Sequence, residues 1–317
     1  MGFIGRRLLI TILTLFLVSL LSFAAFRLIP GDAALIALGT EATEEQLAAL
    51  RAEMGLDRSF PAQYVSWLGN FLTGNLGNSA RFMGAPIAEL IQERLPVTFA
   101  LAGLSLLFII GIAVPVSLLS VKKENSLVDR VVTTVTALNI SVPGFFLGIL
   151  FIWIFGLTLR LFVPGAFVSF QENPSGFFGY LVFPALAIAL PNAALVVKFL
   201  RASIFREMQS DYVRTARSKG ASRDYILRRH VFKNASLPVI TLLGMIVGEI
   251  LSGSIVIEQV FGIPGIGMLL LTSITSRDFP LIQTLIVYIA FAVILANTLA
   301  DIILQIVDPR IRLAEKV

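Results

Sequence analysis

The side chains of this 317-residue sequence that could take part in chemistry are few: one histidine, His230, no cysteine, and two carboxylates, Glu249 and Asp301, set inside long apolar runs. His230 has no second ligand nearby in sequence, so it does not read as a metal site, which needs several donors. A hydrolase would need a nucleophile on a sharp turn to meet that histidine, and no G-x-S-x-G is present. H-E-x-x-H and G-x-x-x-x-G-K-[ST] are also missing, so the chain offers no zinc-protease helix and no phosphate loop for ATP. Without cysteine there are no disulfides and no thiolate chemistry. This is not an enzyme by itself, and its function must lie in where its charges are placed.

The densest charge falls between Lys198 and Lys233, where ten Lys/Arg face three acids, Glu207, Asp211 and Asp224. Its pattern predicts two short helices around one break. Asp211 is expected to cap the first, with Arg217 and Lys219 at its negative C-terminal end and Gly220 just beyond it. Ser222 is expected to cap the second, which should end before Pro238. Small Thr215, Ala216 and Gly220 at the elbow would let another protein approach the backbone closely. The plain alternative is a basic surface lying on anionic lipid; lipid binding, however, requires neither elbow nor paired caps.

The elements that must hold this insert are apolar. The chain is 56% hydrophobic and 14% charged, well below the roughly 25% charge of soluble domains, and its mean hydropathy is +0.87. Six runs, at 8–28, 97–121, 131–159, 180–200, 238–257 and 281–307, are long enough to span a bilayer as helices, and none alternates with the period of a strand. The first run outlasts a cleavable leader's apolar core and reads as a retained span. Arg6 and Arg7, then Lys122, Lys123 and Arg130, then the basic insert, then Arg310, Arg312 and Lys316 all fall on one side if six runs span. By the positive-inside rule that side is cytoplasmic, and both termini lie there. The expected fold is thus an all-α integral membrane protein of six transmembrane helices. It divides into an N-terminal helix at 1–30, a small helical extracytoplasmic segment at 31–95, and a core at 96–317 with a cytoplasmic loop, 201–237, between spans four and five. Eight acids against four arginines in 31–95 fit the outer side. The net charge of +5 follows this topology and does not mark a nucleic-acid surface.

Within the outer segment, Thr43-Glu44-Glu45-Gln46 fits a capping box ahead of Leu47, Leu50 and Met54, with Gly55 as the stop. Pro61 opens a second amphipathic stretch carrying Tyr64, Trp67, Leu68 and Phe71. In span three, Asn139-Ile140-Ser141-Val142-Pro143-Gly144 predicts a kink near mid-membrane. Between spans five and six, 261–267 holds three Gly and a Pro among apolar residues, the composition of a partly re-entrant loop. By polarity alone, Asn139, Ser141, Glu249 and Asn297, with the Pro143 kink, are the candidates to line a path.

The stretches DYVRTARSKGAS and RRHVFKNASLPVIT resemble the coupling loop of ATP-binding-cassette importer permeases of the oligopeptide/dipeptide/nickel branch. The general E-A-A, three residues, Gly pattern is read here as Arg214-Thr215-Ala216 with Gly220 in place. The glutamate is missing, and the later I-x-L-P slots hold His230, Phe232 and Lys233, with the Leu-Pro at Leu237-Pro238. GRRLLITILTLFLVSLLSFAAFRLIPGD, EQLAALRAEMGLDRSFPAQYVSWL, ISVPGFFLGILF, VIEQVFGIPGIGMLLLTSITSRDFPLIQ and VDPRIRL resemble the same branch in the same order, closest to its first-type permease subunit. The resemblance implies a multi-pass protein of a bacterial or archaeal cytoplasmic (inner) membrane. It implies a second homologous permease subunit, two cytoplasmic P-loop ATPase subunits that bind ATP and magnesium, and an extracytoplasmic solute-binding protein, with no cofactor in this chain. Membrane lipid would surround it, no nucleic acid is implied, and short peptides are the implied cargo. Asp211, Tyr212, Arg214, Thr215, Ala216, Lys219, Gly220, Arg228, Arg229 and His230 would then meet an ATPase. The competing reading is a secondary transporter or channel that works without ATPases.

Overall fold

The computed structural model describes residues 3–28, 42–53, 57–79 and 81–307. Leu50's side chain, Met54, Gly55, Arg310, Arg312 and Lys316 lie outside the described residues. The described chain is nearly all helical. In order its elements are α1 (Phe3–Leu28), α2 (Glu44–Glu53), α3 (Phe60–Leu72), α4 (Ile87–Lys122), α5 (Leu127–Ser141), α6 (Gly144–Thr158), α7 (Pro174–Met208), α8 (Asp211–Ser218), α9 (Arg223–Ala235), α10 (Leu237–Phe261), α11 (Ile266–Thr275) and α12 (Phe279–Val307). Four helices are long and apolar enough to cross a membrane as they stand, and up to seven spans result if each bent pair counts as one.

The chain divides into two compact units, one of residues 1–96 with 268–292, the other of 97–267 with 293–317. In the first, the capping box forms as the sequence requires. The Thr43 N–H donates to Gln46 Oε1 at 3.0 Å, and the Gln46 N–H donates to Thr43 Oγ1 at 3.3 Å. Ser59 and Pro61 start α3, whose aromatic face meets α1. Phe23 stacks edge-on to Tyr64 with ring centres 5.5 Å apart and lies 5.7 Å from Trp67. Tyr64 Oη and Ser19 Oγ share a hydrogen bond of 2.7 Å, so the polar tip of a buried tyrosine is satisfied on an apolar helix. Asp278 caps α12 through the Leu281 N–H at 3.4 Å and also accepts from Ser79 and from the Arg81 N–H.

In the second unit, α7 is the centre. Leu181, Ala185, Ala187, Ala189, Leu200 and Ile204 are buried along it, and small residues let α5, α6 and α10 pack close. The expected kink in the third run is a complete break. α5 ends at Ser141, Pro143 is the N-cap of α6, and the two axes differ by 98°. Pro143 supplies no N–H for α5 to continue, and extended backbone at Val142 and Pro143 redirects the chain. After α10 the irregular stretch is shorter than its composition suggests, because Gly267 is already within α11.

Candidate functional site

The basic insert folds as two helices joined by an elbow. Its first helix begins one residue earlier than expected: Ser210 is the N-cap, with extended backbone at ψ 151, and Asp211 is the first helical residue. The turn at Gln209 and Ser210 that closes α7 fixes this register. Asp211 still sits at the positive end of the helix, where it pairs with Arg214 at 3.4 Å. At the other end Gly220 stands at φ +82. Its N–H bonds the Arg217 carbonyl at 2.9 Å and the next N–H, of Ala221, bonds the Ala216 carbonyl at 3.1 Å. Those two bonds are the Schellman pair, which needs a left-handed residue at that position. Ser222 then caps α9 by accepting from the Tyr225 N–H at 3.3 Å, and α9 carries one wider turn over Leu227–Val231.

What keeps this elbow in place is apolar. Val213, Ile226, Leu227, Val231 and Ala235 are buried beneath it. What it presents is polar: Asp211, Tyr212, Arg214, Thr215, Lys219, Gly220, Arg228, Arg229 and His230 are exposed and Ala216 is half-buried. His230 lies edge-on to Tyr225 with ring centres 5.7 Å apart, and Arg228 pairs with Asp224 at 3.0 Å. Burial, followed by a hydrogen bond to Glu207 at 2.8 Å, pushes the Tyr212 hydroxyl above the usual phenol range, so it stays a donor.

Two ion pairs fasten the elbow to the short turn after α4. Lys122 pairs with Asp224, and Arg223 Nη2 meets Glu124 at 2.8 Å. The Lys122 hydrogen bond, helped by the charge of Arg228, holds the Asp224 carboxyl below the ordinary carboxylate range. That same turn is tied to α7 by a side chain with no counterpart in the sequence reading. Asp129, 6% exposed, accepts from Arg201 at 2.9 Å, from Ser120 Oγ at 2.5 Å and from the Asn125 N–H at 3.2 Å. Its one cationic partner in this network lies 72 positions away, a relation no local pattern displays.

Of the residues expected to line a path, the structure brings Glu249 to a cavity of about 340 Å³ at the α5–α6 break. Ile140 and Gly144 of the break, Pro191 and Asn192 of α7, and Ser254 of α10 share its wall. Pro143 makes the break. Asn139 and Ser141 flank it, but their side chains bond carbonyls of their own helix, Val135 at 3.0 Å and Ala137 at 3.1 Å. Asn297 lies against Gly248 and is not part of the lining. Among the described residues no hydrogen bond or ion pair reaches the Glu249 carboxylate, which is exposed on α10. Turned to hydrocarbon, a charge at the middle of a span would cost at least about 2.5–3.5 kcal/mol.

A second carboxylate lies just past the fifth apolar run, which ends at 257, whereas α10 continues to Phe261. Glu258 is fully buried and accepts from Thr98 Oγ1 at 2.9 Å and Ser254 Oγ at 3.3 Å. Thr98 in turn accepts the Ile266 N–H at 2.9 Å. A Cβ on Gly265 would fall 2.3 Å from this carboxylate, so the bare glycine is what admits it. The network ties the turn after α10 to α4.

Residues 113–313 match the family model for the binding-protein-dependent transport system inner membrane component, and residues 1–102 match that of its N-terminal region. A probable peptide ABC transporter permease of Sinorhizobium fredii is 35% identical over 98% of this chain and 99% of its own length. A putative peptide transport system permease of Brucella abortus is 36% identical over 93% of this chain and 94% of its own. The oligopeptide transport system permease of Bacillus subtilis is 33% identical over 98% and 99%.

Proposed function

The chain belongs to the family of binding-protein-dependent transport system inner membrane components, and on that footing we propose that it is one of two permease subunits of an ATP-driven importer of short peptides. The observation that carries the proposal is the elbow at 211–235: an exposed polar surface on a capped, apolar-backed base. In this reading the elbow lies in the cytoplasm, six spans cross the membrane, and both termini are inside. A P-loop ATPase seats on the elbow, and a similar permease completes the path. A solute-binding protein delivers cargo from the outer side.

The lever is short. Only Ser236 separates α9 from α10, and the two meet at 50°. The ion pairs of Lys122 and Arg223 join the elbow to the turn between α4 and α5, and Asp129 joins that turn to α7. Displacement of the elbow when nucleotide closes the ATPases therefore reaches the helices on both sides of the α5–α6 break, the place where a path would open or close.

The test is ATP-dependent uptake of a labelled tripeptide by vesicles holding the complex purified through this chain. Uptake that needs ATP and the binding protein together supports the proposal. Uptake driven by an ion gradient with no nucleotide supports a self-sufficient transporter instead.

A further inference from the structure

Resting on the transport reading, we infer that the cavity at the α5–α6 break is a binding site for a substrate ammonium group, with Glu249 as its counter-ion. The cavity lining holds one anion, Glu249, and neither Lys, Arg nor His. Its other polar side chains are neutral and already oriented. Asn192 donates through Nδ2 to the Ile188 carbonyl at 3.0 Å, which leaves its Oδ1 to accept. Ser254 donates to Glu258 at 3.3 Å, so its oxygen also remains an acceptor. The rest of the wall, including Ile140, Phe145 and Leu195, is apolar.

A lining with one uncompensated carboxylate, no cation and the Asn192 Oδ1 free to accept favours a donor-only cation over an anion. The volume lies at the low end of the range for small-molecule sites, roughly 300–1,000 Å³. A peptide with a free amino terminus supplies such a cation next to a short apolar stretch. Glu249 sits on α10, the helix that follows the elbow with a 50° bend, and an elbow movement carried along α10 would shift the carboxylate against α5 and α6. The site would therefore hold the ammonium in one state and release it in the other.

The chain's lack of cysteine permits a direct test in the assembled complex. Ile140→Cys, with Leu195→Cys as a second position, places a thiol in the lining without touching the acceptors. Cationic and anionic methanethiosulfonates are applied to vesicles, and labelling of this chain is read by mass spectrometry. After correction for intrinsic reactivity, the cationic reagent is expected to react faster, by up to about tenfold, from the field of the one carboxylate in the lining. Glu249→Gln should bring that ratio close to one. A tripeptide should slow labelling, and its N-acetylated form should not. No reaction at either thiol, a ratio unaffected by Glu249→Gln, or equal protection by both peptides overturns the inference. The same vesicles are assayed for ATP-dependent uptake. Charge-selective labelling without such uptake retains the ammonium site and rejects the importer.

Discussion

Gly220 gives the sharpest separation between holding the elbow's shape and using it. At φ +82 any residue with a Cβ is strained, at about 1–2 kcal/mol for a left-handed position. Replacing glycine also restricts the unfolded chain, which returns about 0.4–1 kcal/mol. Nothing lies within 4 Å of an added Cβ, so no steric cost is added. The expected net loss for Gly220→Ala is therefore about 1 kcal/mol, less for Gly220→Asn because asparagine tolerates this region. Gly220→Arg has the same backbone strain as alanine but projects a long cation from the elbow. Melting of the purified complex should fall slightly and similarly for Ala and Arg, whereas binding-protein-stimulated ATPase activity should survive in Asn and Ala and be lost in Arg. Full stimulation in the Arg variant would refute docking at this elbow. Gross unfolding in all three would refute the open surroundings on which the magnitude rests.

Three other perturbations test the supports. Asp129→Ala strands the Arg201 guanidinium, a loss of about 3–5 kcal/mol for a fully buried pair and less here because Arg201 is 28% exposed; Asp129→Asn, which keeps an acceptor, should melt between the two. Asp224 has its pKa lowered in the folded state, so its contribution is present above the unfolded value and disappears as pH falls through the folded one. The melting difference between wild type and Asp224→Asn should be present near pH 7, shrink as pH falls below the ordinary carboxylate range, and diminish with added salt. Gly265→Ala drives a methyl into the Glu258 carboxylate, a clash expected to cost at least about 1–3 kcal/mol, and Glu258→Gln should not restore it.

Features written by neighbouring residues were legible in the sequence. The capping box at Thr43 and Gln46, the Gly220 terminus and the Ser222 cap each depend on groups within five positions of one another. The cap falls on Ser210 and not on Asp211, because serine and aspartate both cap and the turn leaving α7 decides between them. Pro143 announced a kink but not the complete break or its 98°, which the extended backbone at Val142 and Pro143 produces. Asp129 with Arg201, and Thr98 with Glu258, join positions 72 and 160 apart. Nothing in their local surroundings distinguishes them from solvated polar residues. Glu249 was legible as a mid-span carboxylate, but its place beside the break came only with the fold.

The most direct test of the central claim is to tag this chain, extract it gently from native membranes, and identify what comes with it. Recovery of a second permease and P-loop ATPases, with the ATPases lost on Gly220→Arg, is the result predicted. A chain that comes away alone or only with copies of itself, and that crosslinks to no ATPase through the elbow, would contradict it.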